Sequence, residues 1–317
     1  MFADVESLRP LVCATFGRNR PLLRAERLGG GSSKGAYRLT LDGGDTVLVY
    51  AWSDAADYWQ GVRPDADPFS HASGLALFQA AERRLASAGV RCPELLFTDR
   101  SKMLYPADIA VVEDVTGGSL EGLPEKDPTA GSGPCQCSRT GATRSSSFGK
   151  VAFVDGGGHS PGTSCENVMV DQALAQLEEV AGRDERAAHA QGRLEETLNS
   201  LAEPIEPRAT SALVHSELGP DHVLLDSRGE PVLIDIESAK YFDVETEHVW
   251  MRMRFGGHYA GLRRDGLDED RLRLYQLCMH PDLVAGPLRI ADTSHPECEW
   301  FREVAEHHLQ RALQFPA

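Results

Sequence analysis

No stretch of this chain reaches the roughly 18 consecutive apolar residues that a transmembrane helix needs. The opening residues, MFADVESLRP, lack the basic and apolar pattern of an export signal. Both absences predict a cytoplasmic protein with no membrane partner. Positive charge is scarce as well: 32 Lys and Arg against 48 Asp and Glu leave a formal net charge of -16. A nucleic-acid binder needs a basic face to displace counterions, so nucleic acid is excluded as a partner. An acidic surface suits a cationic small molecule, and it also serves plain solubility. The seven cysteines are odd in number and scattered, which fits reduced thiols rather than a disulfide framework.

Several catalytic signatures are missing too. The two Gly-x-Ser-x-Gly runs, 31–35 and 158–162, do not lead from an expected strand into a helix, so neither is a nucleophile elbow and the usual hydrolase reading is removed. His215, Glu217 and His222 have neither the His-Glu-x-x-His spacing nor the His-x-Glu with a downstream Cys-x-x-Cys that marks zinc deaminases. Cys135-x-Cys137 lacks the two-residue spacer and the partner pair of a zinc site, and reads as metal-free. The run Gly29-Gly30-Gly31-Ser32-Ser33-Lys34-Gly35 is not a P-loop, because its lysine is not followed by Ser or Thr opening a helix.

What is present is concentrated in residues 213–237, LVHSELGPDHVLLDSRGEPVLIDIE. Three short apolar runs, 213–214, 223–225 and 231–234, frame two polar stretches, and Asp226-Ser227-Arg228-Gly229 is a turn of the kind that joins hairpin strands. His215, Glu217, Asp221 and His222 therefore lie on a loop held by β-structure, and Asp235 leaves the far strand of the hairpin. Upstream, the spacing of Val5, Leu8, Leu11, Val12 and Phe16 predicts a helix over 3–16. Residues 22–28, 37–41 and 46–50 then read as an antiparallel meander with Gly-rich turns. A helix over 72–88 follows, then the run 89–96, which ends that helix and starts another strand, and a strand at 109–112. Helices are expected at 167–181, 185–201, 268–279 and 297–313, with Asp243 as the N-cap of one more. The first glycine turn can cradle phosphates through its backbone N–H groups, although a Gly cluster between strands is by itself more often only a turn.

The frame His215-Ser216-Glu217-Leu218-Gly219-Pro220-Asp221-His222, then a hairpin, then Leu233-Ile234-Asp235-Ile236-Glu237, resembles the catalytic segment of the aminoglycoside phosphotransferases and related small-molecule kinases. Their pattern is His-Gly-Asp-Leu-x-x-x-Asn, a hairpin, and Ile-Asp-Trp-Glu. The resemblance implies an α+β, bilobal, protein-kinase-like fold, with a nucleotide-binding N-lobe over 1–118 and a mainly helical C-lobe over 119–317. It implies ATP and magnesium as cofactors, and transfer of the γ-phosphate to a hydroxyl of a small acceptor molecule. By position, Glu217 is the base, Asp235 the principal metal residue, and His222 with Asp221 the other metal-side group. Gly30, Gly31, Ser32, Ser33 and Lys34 would meet the phosphates, and Glu113 and Val115 would offer main-chain groups to adenine. His215 would brace the loop.

Three departures from that pattern have physical content. Glu217 stands where the family has Asp, on a stem one methylene longer. His222 stands where it has Asn, although magnesium prefers oxygen. The third strand, Val47-Leu48-Val49-Tyr50-Ala51-Trp52, lacks the lysine that holds the α and β phosphates; Lys34 is the nearest cation. Gln79 and Glu82 occupy the place of the helix acid that pairs with such a lysine, a pair not required without it, and Glu82 reads as a surface residue beside Arg83 and Arg84. A nucleotide-binding regulatory pseudokinase is therefore the alternative to a working enzyme. Glu237, Asp243, Glu245 and Glu247 predict an acidic mouth suited to an amine-bearing acceptor. Residues 129–147, TAGSGPCQCSRTGATRSSS, break with the rest of the chain: no helical period runs through them, and a disordered insertion or a shifted reading frame both account for them.

Overall fold

The computed structural model describes residues 4–29, 31–59, 69, 73–122, 143–160 and 162–316. The chain forms two compact units, Met1–Gly131 with Pro220–Ser238, and Ser132–Gly219 with Ala239–Ala317.

The first unit opens with α1 (Val5–Phe16), started by a capping box in which Asp4 accepts from the Ser7 amide and Ser7 accepts from the Asp4 amide. Its stripe of Leu8, Leu11 and Val12 is fully buried against a five-stranded antiparallel sheet. The strands are β1 (Leu22–Leu28), β2 (Gly35–Leu41), β3 (Thr46–Trp52), β4 (Leu95–Asp99) and β5 (Asp108–Glu113), in the order β1-β2-β3-β5-β4. Alternate burial along β2 puts Tyr37, Leu39 and Leu41 into the same core as Val47, Val49 and Val111. The meander is as expected, with β2 beginning two residues early because Gly35 already pairs with Ala51. Between β3 and β4 lies α2 (Leu75–Ser87), which buries Leu75, Phe78, Ala81 and Leu85.

The second unit contains β6 (Arg144–Ser145), β7 (Gly149–Lys150), the short α3 (Val151–Asp155), α4 (Cys165–Ala181), α5 (Glu185–Ala202) and β8 (Ser211–Val214). The chain then returns to the first unit as the hairpin of β9 (Val223–Leu225) and β10 (Pro231–Leu233). Back in the second unit come β11 (Lys240–Phe242), α6 (Val244–Phe255), α7 (Glu269–Ala291) and α8 (Cys298–Leu313). A four-stranded sheet runs β6-β8-β11-β7. The helical stripes expected for α4 and α5 form one core with α7, through Ala173, Leu177, Leu194, Leu198, Leu274 and Leu277.

Several expectations need correction. A single boundary at 118/119 does not describe the chain, because residues 220–238 group with the first unit. Backbone bonds explain this: Gly117 N–H donates to Leu225 O at 3.0 Å, Leu225 N–H to Gly118 O at 2.8 Å, and Leu233 N–H to Arg91 O at 2.8 Å. Cys135, Cys137 and most of the anomalous stretch lie outside the described residues, but its end is ordered: Arg144 and Ser145 pair with Ala212 and Ser211. Helix α7 continues well past 279, through Pro281 and Pro287. Both prolines are buried along with Val284, Ala285 and Ile290, so packing outweighs the lost backbone bonds. Asp243 does sit at the N-cap of α6 but makes no capping bond. Its carboxylate instead meets Arg271 and the Tyr275 hydroxyl, inside a network where Arg271 also reaches Glu166 at 3.1 Å and the Glu206 carbonyl. Among the described residues no helix is long and apolar enough to cross a membrane, and Cys13, Cys92, Cys165, Cys278 and Cys298 are free thiols.

Where α7 meets α8, His280 and His308 are both buried with their Nδ1 atoms 3.0 Å apart. Burial, with the charges of His308, Arg311 and His307, pushes His280 down to about 3; burial with His307 and Arg311 pushes His308 down to about 4, with Asp282 opposing. Folded-state values below the ordinary 6.5 mean that this stability is present above about pH 6.5 and is lost as pH falls through the folded values. Urea titrations should therefore show stability falling from pH 6.5 toward 4, at about 1.4 kcal/mol per pH unit for each proton the unfolded chain takes up in excess. His280→Asn, which keeps a polar atom near the Nδ1 position, should flatten the decline. An unchanged slope would show that the pair is not its source.

Candidate functional site

In the first unit the site is built on the hairpin and on the glycine-rich connection between β1 and β2. The turn closes because Asp226 Oδ1 accepts from the amides of Arg228 and Glu230 at 2.8 and 2.9 Å, with Gly229 at φ 78°. The close approach of Gly117 to the hairpin requires glycine: a Cβ there would lie 2.3 Å from Leu225 O. After β10 the backbone turns left-handed at Asp235, φ 57°, an unusual conformation for a residue other than glycine. Asp235 Oδ1 then lies 2.6 Å from Lys34 Nζ, and Glu237 Oε1, on the 3-10 turn Ile236–Ser238, lies 2.6 Å from the same nitrogen.

Lys34 is therefore no solvated turn lysine; it is only 9% exposed, with its ammonium 5.3 Å from the ring centroid of Tyr50 on β3. Burial works against its charge, but Asp235 and Glu237 outweigh that and hold it above the ordinary lysine value. Burial pushes Glu237 up, with Lys34 pulling the other way. Neither Gln79 nor Glu82 on α2 is the lysine's partner. Gln79 is engaged with Thr98 and Arg100, and the carboxylate that meets Lys34 is Glu237, brought in by tertiary structure.

His222, Asp221 and Asp235 are brought together: His222 Nε2 is 3.5 Å from Asp221 Oδ2 and 3.7 Å from Asp235 Oδ2. Among the described residues no group of three or more His, Cys, Asp or Glu is arranged to hold a metal by itself. Two carboxylates suit magnesium, which usually completes its shell with water and phosphate oxygens; the imidazole does not.

Of the expected phosphate cradle, Gly30 lies outside the described residues. Ser32 is held from the segment after β3, its carbonyl accepting from the Tyr58 amide at 2.8 Å and its Oγ from Trp59 Nε1 at 3.0 Å. Sequence reasoning missed this brace; its one trace is the aromatic pair Tyr58-Trp59 just past the strand. At the end of β5 the Glu113 amide donates to Glu94 O at 2.9 Å and is not a contact for a bound base. The Glu113 carboxylate takes Arg91 at 2.7 Å, and neighbouring Asp114 holds Arg38 in a two-point ion pair at 2.7 and 3.0 Å. Val115 is buried.

In the second unit, β8 delivers buried His215, then Ser216 at φ 87°, then half-buried Glu217. Glu247 Oε2 accepts from the Ser216 amide at 2.7 Å and so fixes the left-handed turn. Burial pushes Glu247 up, while His215 and the amides it accepts from pull it down. Lys240 on β11 is pushed down by burial, against the pull of Asp282, Cys165, Glu217 and Glu247. The acidic mouth does not exist. Glu237, Asp243, Glu245 and Glu247 are 6, 1, 0 and 3% exposed. Their charges face inward, onto Lys34, Arg271, Arg208 and the Ser216 amide respectively.

Compared with protein-family models and with curated proteins, the sequence matches none. Solved structures do resemble it. The aminoglycoside phosphotransferase APH(4)-Ia, in a ternary complex with AMP-PNP and hygromycin B, gives a TM-score of 0.65 at 19% identity, over 96% of this chain and 98% of that one. Spectinomycin phosphotransferase with ADP and spectinomycin gives 0.62 at 11% identity, over 99% and 98%. A fructosamine-3-kinase-like protein from Thermobifida fusca gives 0.56 at 18% identity, over 96% and 99%. At such identities the likeness is one of fold, and the fold of this chain is the α+β fold that these phosphotransferases share.

Proposed function

We propose that the protein is an ATP-dependent phosphotransferase that moves the γ-phosphate to a hydroxyl of a small molecule. The observation that carries this reading is the buried Lys34 ammonium held between Asp235 and Glu237, which joins the glycine-rich connection to the residue following the hairpin. A cation there, beside backbone able to approach phosphates, is suited to a triphosphate. Lys34 would bind phosphate oxygens, with Gly31, Ser32 and Ser33 supplying main-chain groups. Asp235, with Asp221 beyond it, would hold magnesium, which supplies neutralisation of charge on the β and γ phosphates. Glu217 would take the acceptor's proton as the new oxygen–phosphorus bond forms and the bond to the β-phosphate oxygen breaks, releasing ADP. Hygromycin B and spectinomycin, bound by the solved relatives, make aminoglycoside-like compounds the first acceptors to try. The inward-facing carboxylates give no independent support for an amine-bearing acceptor.

One observation favours the second reading, a nucleotide-binding regulator without transferase activity: an imidazole stands where an oxygen ligand is wanted. Thermal melts with ATP and magnesium, followed by ATP turnover with pooled aminoglycosides, choline-like amines and sugars, separate the two. Binding with turnover supports the enzyme, and binding without turnover to any acceptor supports the regulator. Asp235→Ala should abolish the magnesium-dependent part of the ATP-induced rise in melting temperature while the metal-free part persists. Metal dependence that survives the change would move the magnesium site elsewhere.

A further inference from the structure

In the pattern the catalytic segment resembles, a lysine on the third strand holds the α and β phosphates and pairs with a glutamate from the following helix. Here neither partner is in that place. Strand β3 has no lysine, and α2 packs against the Ile236–Ser238 turn rather than supplying an acid to Lys34. We propose that the ion pair has been relocated as a unit: Lys34 of the glycine-rich connection replaces the strand lysine, and Glu237 replaces the helix glutamate as its positioning residue. The proposal rests on the phosphotransferase reading above and gives Glu237, which that reading leaves without a role of its own, the task of positioning Lys34.

Two features assign different duties to the two carboxylates. The Asp235 side chain is 41% exposed and that of Glu237 only 6%, although both stand 2.6 Å from the ammonium. An exposed carboxylate can exchange a lysine for a cation arriving with the nucleotide. A buried one has no such alternative, because leaving a buried ammonium or carboxylate unpaired is strongly unfavourable. Glu237 is thus the constant partner that keeps Lys34 in place when Asp235 is drawn to metal. The location is also right for a substitute. The Lys34 ammonium lies over the ring of Tyr50, so its charge reaches the surface of the strand from which the lysine is missing. The turn carrying Glu237 is in turn held by α2, which supports the acid in place of providing it.

The test is a double-mutant cycle read by ATP affinity and by turnover. Lys34→Met should weaken ATP binding and lower turnover by about 10² to 10³-fold, the usual effect of losing one preorganised charge at a reacting group. Glu237→Gln should raise the KM for ATP by about tenfold with a smaller change in kcat, as expected for a group that acts through the lysine. Lys34→Met/Glu237→Gln removes both partners, so no lone charge is buried, and should be no worse than Lys34→Met alone. It also covers the case in which the single Lys34 variant fails to fold. Returning the lysine to the strand, Lys34→Met/Tyr50→Lys, should recover at least about a tenth of the lost turnover, while Glu82→Gln on α2 should leave ATP affinity at the parental value. Independent, additive effects of the two single variants, or a Glu82→Gln loss as large as that of Glu237→Gln, would overturn the relocation while leaving the phosphotransferase reading intact. A parent that binds no ATP would remove both.

Discussion

Glu217→Gln should bind ATP as tightly as the parent and turn it over about 10² to 10⁴-fold more slowly, the range by which a positioned base accelerates proton transfer. The substitution removes the charge with almost no change of shape, so an effect on turnover alone isolates the base. The local structure supports a clean result. Glu217 follows Ser216, whose left-handed conformation is held by the Glu247 carboxylate. Glu217→Asp is the sharper comparison. A loop adapted to the longer stem would place the shorter carboxylate roughly 1 Å short, enough to cost about 10²-fold. Single-turnover measurements with saturating ATP read both. Parental rates in both variants would remove Glu217 as the base, and a parent that binds ATP without transferring phosphate would favour the regulatory reading.

Arg271→Met should destabilise the protein by about 3 to 5 kcal/mol, the cost of breaking a buried ion pair from one side. Arg271 is 1% exposed, and its guanidinium is shared by Asp243, Glu166 and the Glu206 carbonyl. Methionine fills much of the volume but leaves two buried carboxylates facing one another. Burial already pushes Asp243 up, with Tyr275 and Arg271 pulling it back, so losing the arginine moves it further toward the neutral form. For a unit of this size the melting temperature should fall by on the order of 10 °C. Guanidinium denaturation at pH 7 gives the energy directly; a loss below about 1 kcal/mol would mean that water or relaxation reaches the site. Arg208, which holds Glu245 at 2.6 and 2.9 Å, provides a half-buried comparison where the same change should cost less.

The parts of the fold that were legible in the sequence are those with a local period. Alternation in 37–41 and the stripe of Leu8, Leu11 and Val12 announced β2 and α1 because each records which side of one element meets a core. The polar turn at 226–229 announced the hairpin because Asp and Gly have specific uses there. Charged partners carry no such record. Glu245 and Glu247 read as part of an acidic mouth, yet they face inward because Arg208 and the Ser216 amide await them. Glu237 read as part of the same mouth, with nothing local to tie it to Lys34. Helix α7 looked finished before Pro281, since local rules penalise proline and cannot see the apolar surroundings that offset it.

The Lys34 to Asp235 ion pair spans 201 positions, and this separation constrains how the protein can be made. As the chain leaves the ribosome, the five strands of the first sheet are complete long before the hairpin that belongs with them. Until residues 220–238 emerge, the lysine at the start of β2 has neither of its carboxylates, and burying it would leave a lone charge in an apolar place. Final closure of the first unit must therefore wait while the intervening part of the second is synthesised.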